Sequence, residues 1–211
     1  MSDAPLRIMD LGRVPYAEAH ALQLRLIGER REGLCPDTLL LCEHEPVITL
    51  GRATQEPWLR GSRVPEGVEV YRIERGGEAT YHGPGQLVAY PIIDLRERGG
   101  DIHAYLRDLE TVVIGVLSDL DIAGRRRAGL TGVWVGEAKI AAIGVAVRRW
   151  VTFHGVALNV QCALDVFSQI VPCGIPDACT TTVSCVLGKP VSLDEVRPRF
   201  ADHFAAVFST L

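Results

Sequence analysis

The chain has 211 residues, of which 47% are hydrophobic and 23% charged, as in an average water-soluble globular domain. Its formal net charge of -4 argues against a general nucleic-acid binder. No apolar run approaches the roughly 20 residues of a membrane helix, and charged residues interrupt the N-terminal segment, which argues against a signal peptide. We therefore expect a cytoplasmic protein that folds as one domain over residues 1–211.

Six cysteines raise the question of disulfides or a metal site: Cys35, Cys42, Cys162, Cys173, Cys179 and Cys185. A chain of this size without an export signal is expected to keep its thiols reduced. The sequence has no Cys-x-x-Cys pair and no histidines paired at ligand spacing, so we expect no metal. Cys42 follows three leucines and is interpreted as a small core residue.

The N-terminal half combines one helix with short β-rich runs. Pro15 suits the first turn of a helix that runs to about Arg31 and stops at Gly33. Pro46 prevents the runs on either side of it from forming one central strand, and His44 is interpreted as a capped loop histidine. Strands are expected at residues 38–42, 47–50, 68–73 and 86–93, with a surface connection at 55–67.

Residues 75–86 join two of these strands and read RGGEATYHGPGQ. Glycine permits positive φ and close approach of another group, and a plain hairpin needs two such residues at most. The excess of glycine indicates a loop that is shaped to hold a ligand. A glycine-rich turn with a satisfied polar cluster is the plainer alternative.

The C-terminal half has the two clearest helix signals. Asp101 is expected to cap a helix whose apolar residues recur every three or four positions. Ser192 and Glu195 predict a capping box at the start of the last helix. Strands are expected between these helices at 133–135, 139–147 and 150–160. This order indicates an α+β domain with a mixed or antiparallel sheet flanked by helices.

Cys173 and Lys139 have the chemistry of a nucleophile and its partner. Cys173 lies in a loop-like segment beside Gly174, where a substrate can approach its thiol. A free cysteine has a pKa near ~8.5, which a nearby cation lowers. Lys139 is either an exposed edge residue that limits aggregation or a partly buried ammonium that can stabilise a thiolate. Sequence spacing alone does not bring the two residues together.

Two further features have both a structural and a functional interpretation. His154 and Gly155 lie in the middle of a predicted strand, where glycine often marks close approach by a ligand or another backbone. His154 is equally compatible with a hydrogen-bonded core histidine. The arginine runs at 125–127 and 148–149 are typical of solvated turns, and they would also suit an acidic partner protein.

Four segments together resemble the lipoyl(octanoyl) transferases. They are RGG at 75–77 with ATYHGPGQL at 79–87, KIA at 139–141 with IG at 143–144, HG at 154–155 with ALNV at 157–160, and CG at 173–174. The segments run in the family's order and include both catalytic residue types. The resemblance implies the fold of biotin and lipoate protein ligases.

The resemblance also implies an activity and its residues. The implied enzyme moves an octanoyl group from octanoyl-acyl carrier protein to a lysine of a lipoyl domain, in 2-oxoacid dehydrogenases or the glycine cleavage H protein, without a cofactor. Cys173 would take the acyl group as a thioester, while Lys139 lowers the pKa of that thiol and moves protons. The implied substrate-binding residues are Arg75, Gly76, Gly77, Glu78, Ala79, Thr80, Tyr81, His82, Ala142, Ile143, Gly144, Gly155, Val156 and Ala157, with His154 and Asn159 in support.

Other functions remain open on the sequence alone. An ATP-dependent lipoate-protein ligase would share the fold but would not require Cys173. An amidotransferase would move octanoyl between lipoyl domains and differ only in its donor. A non-catalytic acyl-binding module would keep the glycine-rich loop and dispense with the cysteine.

Overall fold

The computed structural model describes residues 6–59, 63–170 and 179–209, and all structural statements concern these ranges. The strands are β1 (Arg7–Val14), β2 (Thr38–His44), β3 (Val47–Leu50), β4 (Glu69–Arg72), β5 (Ala79–His82), β6 (Gln86–Ile92), β7 (Arg125–Arg127), β8 (Leu130–Val135), β9 (Ala138–Arg148) and β10 (Val151–Asn159). The α-helices are α1 (Tyr16–Arg31), α2 (Ile102–Ser118), α3 (Asp165–Gln169), α4 (Val183–Leu187) and α5 (Leu193–Phe208).

The strands form one large and one small sheet. The large sheet has the order β1-β2-β6-β10-β9-β8-β7, in which only the β1–β2 pair is parallel. The small sheet has the order β4-β3-β5, with β4 parallel and β5 antiparallel to β3. The predicted α+β class with a mixed sheet is confirmed.

Two cores cover opposite faces of the large sheet because successive residues of a strand point to opposite sides. In β6, Leu87 and Ala89 belong to the core that α2 and α5 cover, whereas Val88 and Tyr90 belong to the core under α1. Every residue of β6 is therefore buried, although only half of them face each helix layer. A third core joins the small sheet to α3.

The predicted helices agree with the structure at their starts. Asp101 accepts hydrogen bonds from the amides of His103 and Ala104, and the capping box of Ser192 and Glu195 is formed. Gly33 follows α1 with a positive φ of 73°. No helix in the described ranges is long and apolar enough to cross a membrane.

Several strand predictions need correction. Residues 75–86 are not a continuous loop, because 79–82 pair with β3 as β5. His44 is not a loop residue: it ends β2 and is fully buried, with Nδ1 2.8 Å from the Val14 carbonyl and Nε2 2.7 Å from the Tyr90 hydroxyl. The segment before Pro15 is β1, and the first arginine run is the edge strand β7, so neither is irregular. Short polar edge strands lack the apolar alternation that identifies inner strands.

The buried carboxylate of Glu110 connects α2 to the far edge of the large sheet. Its Oε2 accepts from Arg107 at 2.6 Å and from Arg126 at 2.9 Å, and its Oε1 accepts from the Gly132 amide at 3.0 Å. The exposed Arg126 therefore covers a buried carboxylate. The other two arginines of the run, Arg125 and Arg127, pair with the exposed Glu137.

We expect Glu110→Ala to lower the free energy of unfolding by about 2 kcal/mol, because it leaves the buried Gly132 amide without its hydrogen-bond acceptor. The matched control is Glu137→Ala, which also removes a carboxylate from two arginines but at a side chain that is 76% exposed. That change should cost less than about 1 kcal/mol. Urea unfolding of the three proteins measures both values, and equal losses would contradict the assigned role of Glu110.

Candidate active site

One partly open cavity contains most of the residues that the sequence singled out. The glycine-rich stretch, the middle of β9 and the middle of β10 form its walls. Of the predicted site residues, the lining includes Arg75, Gly76, Gly77, Glu78, Ala79, Thr80, His82, Lys139, Ala142, Ile143, Gly144, His154, Gly155, Val156 and Ala157. Tyr16, Ile73, Val88, Tyr90 and Thr131 complete it.

The register of β9 and β10 explains why two distant segments meet in this wall. Ala142 lies opposite Ala157, and Gly144 lies opposite Gly155. A Cβ on Gly155 would lie 2.3 Å from the carbonyl oxygen of Ala89, so only glycine fits at this crossing of β10 and β6. A Cβ on Gly144 would lie 3.1 Å from the carbonyl oxygen of Gly76. The glycines therefore allow close contact between backbones.

Arg75 anchors the glycine-rich stretch to the small sheet. Its side chain is buried, and its guanidinium donates to the Thr49 carbonyl at 2.6 Å, to the Thr49 hydroxyl at 3.0 Å and to the Gly76 carbonyl at 3.0 Å. The next amide, that of Gly76, donates to the Val145 carbonyl of β9 at 2.9 Å. These bonds fix the stretch between the two sheets and set the width of the cavity.

His82 is held as a neutral ring. The Gln86 amide nitrogen donates to the Tyr81 carbonyl and to Asn159 Oδ1, so the Gln86 oxygen faces His82 Nδ1 at 2.7 Å. This arrangement assigns the ring proton to Nδ1. Burial lowers the pKa of His82 to about 3, and the neighbouring His44 acts in the same direction. At neutral pH, the His82 ring can accept a hydrogen bond or orient a bound group, but it carries no charge.

Two predicted residues lie outside the cavity wall. The Tyr81 ring packs edge-on against Phe167 at 5.6 Å, within the core of the small sheet. Asn159 accepts from Gln86 and donates to the Thr181 carbonyl at 3.1 Å. It therefore connects the His82 network to the chain that follows Cys179.

Lys139 is not an exposed edge residue. It pairs with Trp134 of β8 on one side and with Thr180 on the other, and its side chain lines the cavity. Its Nζ lies 4.9 Å from the centre of the Trp134 ring, whose face attracts an ammonium group. Its backbone amide donates to the Cys179 carbonyl at 2.8 Å. Of the two alternatives for Lys139, a partly buried ammonium fits this position and an exposed edge residue does not.

The predicted nucleophile Cys173 lies outside the described residues. Among the described cysteines, Cys35, Cys42 and Cys162 are buried, whereas Cys179 and Cys185 are exposed. Burial raises the pKa of each buried thiol, that of Cys162 to about 12. These three thiols stay protonated at neutral pH, and Cys42 is the core residue that the sequence indicated.

A wider groove leads away from the cavity on the Lys139 side. It shares Lys139, Thr131 and Gly144 with the cavity and continues past Ile102 and Leu106 of α2. Sequence reasoning did not find this groove, nor the aromatic wall of Tyr16 and Tyr90. Tyr16 begins α1, whose apolar face of Ala19 and Leu26 indicates only packing, and Tyr90 belongs to a strand that is buried on both faces, so neither shows a distinguishing pattern.

Comparison with known families agrees with the fold and the cavity. Residues 15–205 match the family model described as the lipoyl protein ligase A/B catalytic domain, and the chain belongs to this family. It is 47% identical to the octanoyltransferase of Syntrophotalea carbinolica over 97% of this chain and 95% of that protein. It is 50% identical to the octanoyltransferase of Solibacter usitatus over 95% of this chain and 92% of that protein. The resemblance to this group is confirmed.

Solved structures confirm the expected ligase-like fold. A lipoate-protein ligase A bound with ATP has a TM-score of 0.75 at 20% identity, covering 98% of this chain and 86% of that one. A bipartite lipoate protein ligase from Thermoplasma acidophilum has a TM-score of 0.73 at 22% identity, with coverages of 97% and 84%. The biotin protein ligase of Aquifex aeolicus has a TM-score of 0.55 at 14% identity, with coverages of 98% and 69%.

The neutral state of buried His82 predicts a loss of stability in acid. The unfolded ring takes up a proton near pH 6.5, whereas the folded ring stays neutral down to about pH 3. Between these values the unfolded state binds more protons, so the free energy of unfolding falls as the pH falls. One such histidine contributes a slope of up to about 1.4 kcal/mol per pH unit.

We expect His82→Gln to have a shallower slope than the wild type in this pH range, even if its stability at neutral pH is lower. Denaturant unfolding at a series of pH values measures the slope. Substitution of the exposed His103 by Gln is the matched control and should leave the slope unchanged. An unaltered slope in His82→Gln would contradict the assigned neutral state.

Proposed function

We propose that this chain is an octanoyltransferase that carries an octanoyl group from octanoyl-acyl carrier protein, through a thioester on Cys173, to the ε-amino group of a lysine on a lipoyl domain. The observation that carries the proposal is the position of Lys139 at a cavity whose walls are the predicted acyl-binding segments. Full-length relatives named octanoyltransferase support the same reaction. We propose that the whole chain acts as one catalytic domain in the cytoplasm, where thiols stay reduced.

The cavity has the chemistry of an acyl site. Small or aliphatic side chains line it on three segments, among them Ala79, Ala142, Ile143, Val156 and Ala157. Burial of a methylene group contributes about 0.8 kcal/mol, so an eight-carbon chain supplies several kcal/mol of binding. The groove past Ile102 and Leu106 gives a path for the donor arm and later for the acceptor lysine.

The proposed reaction has two acyl transfers. In the first, the Cys173 thiolate attacks the thioester carbonyl, the bond to the donor sulfur breaks, and that sulfur leaves as a thiolate that Lys139 protonates. In the second, the acceptor amine attacks the Cys173 thioester, Cys173 leaves as a thiolate, and the amine proton passes to the neutral Lys139. Thioester exchange is nearly thermoneutral, and amide formation from a thioester is favourable. Nucleotide is therefore not required.

The position of Lys139 suits both roles. A cation near a thiol lowers its pKa and favours the reactive thiolate. Cys179 follows Cys173 by six positions in the sequence, and its carbonyl accepts from the Lys139 amide. The chain after the proposed nucleophile thus returns to the proposed acid and base. The face of the Trp134 ring, 4.9 Å from Nζ, attracts the ammonium group of Lys139.

Transfer without ATP tests the activity. Purified protein, octanoyl-acyl carrier protein and a lipoyl domain should give an octanoylated lipoyl domain by mass spectrometry in the absence of nucleotide. With donor alone, one octanoyl adduct should appear on wild-type protein and be absent from Cys173→Ser. The matched control, Cys179→Ser, alters an exposed neighbouring thiol and should keep the adduct.

Each contrary result identifies a rival. Transfer that needs ATP and free octanoate would indicate a ligase. Transfer that accepts only an octanoylated lipoyl domain as donor would indicate an amidotransferase. Octanoyl binding without an adduct would indicate a non-catalytic acyl-binding module.

Replacement of Lys139 tests the proposed pairing. Lys139→Ala should lower kcat by about 100-fold or more, because it removes the general acid and base. It should also raise the pKa of the Cys173 thiol, as measured by the pH dependence of alkylation. Substitution of the exposed Lys189 by Ala should change neither quantity. A Lys139→Ala protein with normal thiol titration would contradict the pairing.

A further inference from the structure

A cluster of two histidines and a carboxylate lies on the side of the cavity away from Lys139. His20 comes from α1, Glu74 follows β4, and His154 comes from β10. Their potential ligand atoms all lie within 4.8 Å of one another. The three residues are far apart in sequence, which is why the spacing of histidines along the chain gave no indication of a metal site.

The backbone around Pro91 explains how His154 reaches this cluster. Pro91 has no amide proton, so β6 cannot donate to β10 at this point, and Gly155 packs directly against the Pro91 ring and the Ala89 carbonyl. His154 adopts a positive φ of 56°, which is uncommon for a residue with a side chain. Its backbone amide donates to Gln23 Oε1 of α1 at 2.8 Å. The strand is thereby held against α1 with His154 buried.

The ring nitrogens that face this cluster have no hydrogen bond of ordinary length among the described residues and lie beside the Glu74 carboxylate. His154 is only 2% exposed, and its Nε2 and that of His20 are both buried. Tyr16 Oη and Gln23 Nε2, which belong to the same helix as His20, are also buried and unpaired. Buried polar atoms in proteins are normally satisfied, so this concentration indicates a ligand between them.

The distances fit metal ligation better than hydrogen bonding. Glu74 Oε2 lies 3.3 Å from His20 Nε2 and 3.5 Å from His154 Nε2. An N–H···O bond is usually 2.7–3.2 Å long. In a tetrahedral zinc site with bonds of about 2.0–2.1 Å, neighbouring ligand atoms are about 3.3 Å apart. Two of the three separations in the cluster therefore match the edges of such a tetrahedron.

We propose that His20, Glu74 and His154 form a binding site for a divalent transition metal, with Zn²⁺ as the best match and water as the fourth ligand. Two imidazoles and one carboxylate form a ligand set that zinc accepts. The Arg75 guanidinium, the nearby cation, is directed to Thr49 and Gly76.

The proposed site joins three separate segments of the fold and includes a residue of the cavity wall. A metal there would cross-link α1, the chain after β4 and β10, and would therefore stabilise the folded state by mass action. It would also fix the ring of His154, which lines the cavity. The proposal does not depend on the acyl-transfer activity.

Metal titration of the full chain after treatment with EDTA tests the proposal. Co²⁺ alone should bind with one equivalent, give the visible absorption bands of a low-symmetry nitrogen and oxygen site, and be displaced by Zn²⁺. His20→Ala and Glu74→Gln should each weaken Zn²⁺ binding by about 10-fold or more, since even outer-sphere changes have effects of this size. The matched controls His103→Ala and Glu66→Gln alter exposed residues of the same types and should bind as the wild type does.

A second measurement distinguishes loss of the metal site from misfolding of a variant. The melting temperature of the wild type should rise with Zn²⁺ and return with EDTA, while His20→Ala and Glu74→Gln melt cooperatively without a response to Zn²⁺. Thiolate-to-cobalt charge-transfer absorption would show that the metal binds cysteines instead and would overturn the proposal. Unchanged affinity in both variants, or absence of binding by the wild type, would overturn it as well.

Discussion

The hydrogen bond from the Gly76 amide to the Val145 carbonyl is the contact through which the glycine-rich stretch reaches the large sheet. Arg75, the residue before Gly76, donates hydrogen bonds to Thr49 and so joins the same stretch to the small sheet. The cavity exists because these two adjacent residues contact different sheets. Gly144 lies beside this contact, and a Cβ there would press on the Gly76 carbonyl and the Arg75 side chain. A change at any of these positions alters the separation of the sheets before it alters the chemistry.

The polar residues around the cavity are arranged so that most of them are neutral. His82 is bonded to Gln86, and Gln86 to Asn159, in a network that needs no charge. Burial lowers the pKa of both His82 and His154. A neutral polar wall suits the thioester of the proposed function, whose carbonyl has a dipole but no net charge.

The sequence predicted the inner parts of the fold and the cavity better than their surroundings. Glycines, a histidine and a lysine within otherwise apolar strands are conspicuous, so the pattern made Lys139, His154 and Gly155 candidates, whereas Gly144 came from the family resemblance. The strands β1 and β7 were missed because edge strands show little apolar alternation. Arg126 is exposed, as the sequence indicated, but nothing in the sequence reveals that it also pairs with Glu110, a helix residue that is buried opposite it. Contacts between distant charged residues depend on the tertiary arrangement, which local patterns do not encode.

The register of β9 also shows that Lys139 and His154 lie at opposite ends of the cavity. His154 lies opposite Val145, which is six residues along β9 from Lys139, so the two ends are roughly 20 Å apart between backbone positions. Under the proposed function, the reacting carbonyl would lie at the Lys139 end, where the groove opens, and the acyl tail would extend towards Tyr16, Tyr90 and His154. That end is aromatic and partly polar, whereas the middle is aliphatic. A longer chain would have to displace the Tyr16 and His154 rings, which pack with His20 between them at 5.7 and 5.5 Å. Under the proposed function, the stacked rings of Tyr16, His20 and His154 would therefore limit the length of the acyl chain, and two of them belong to the proposed metal site.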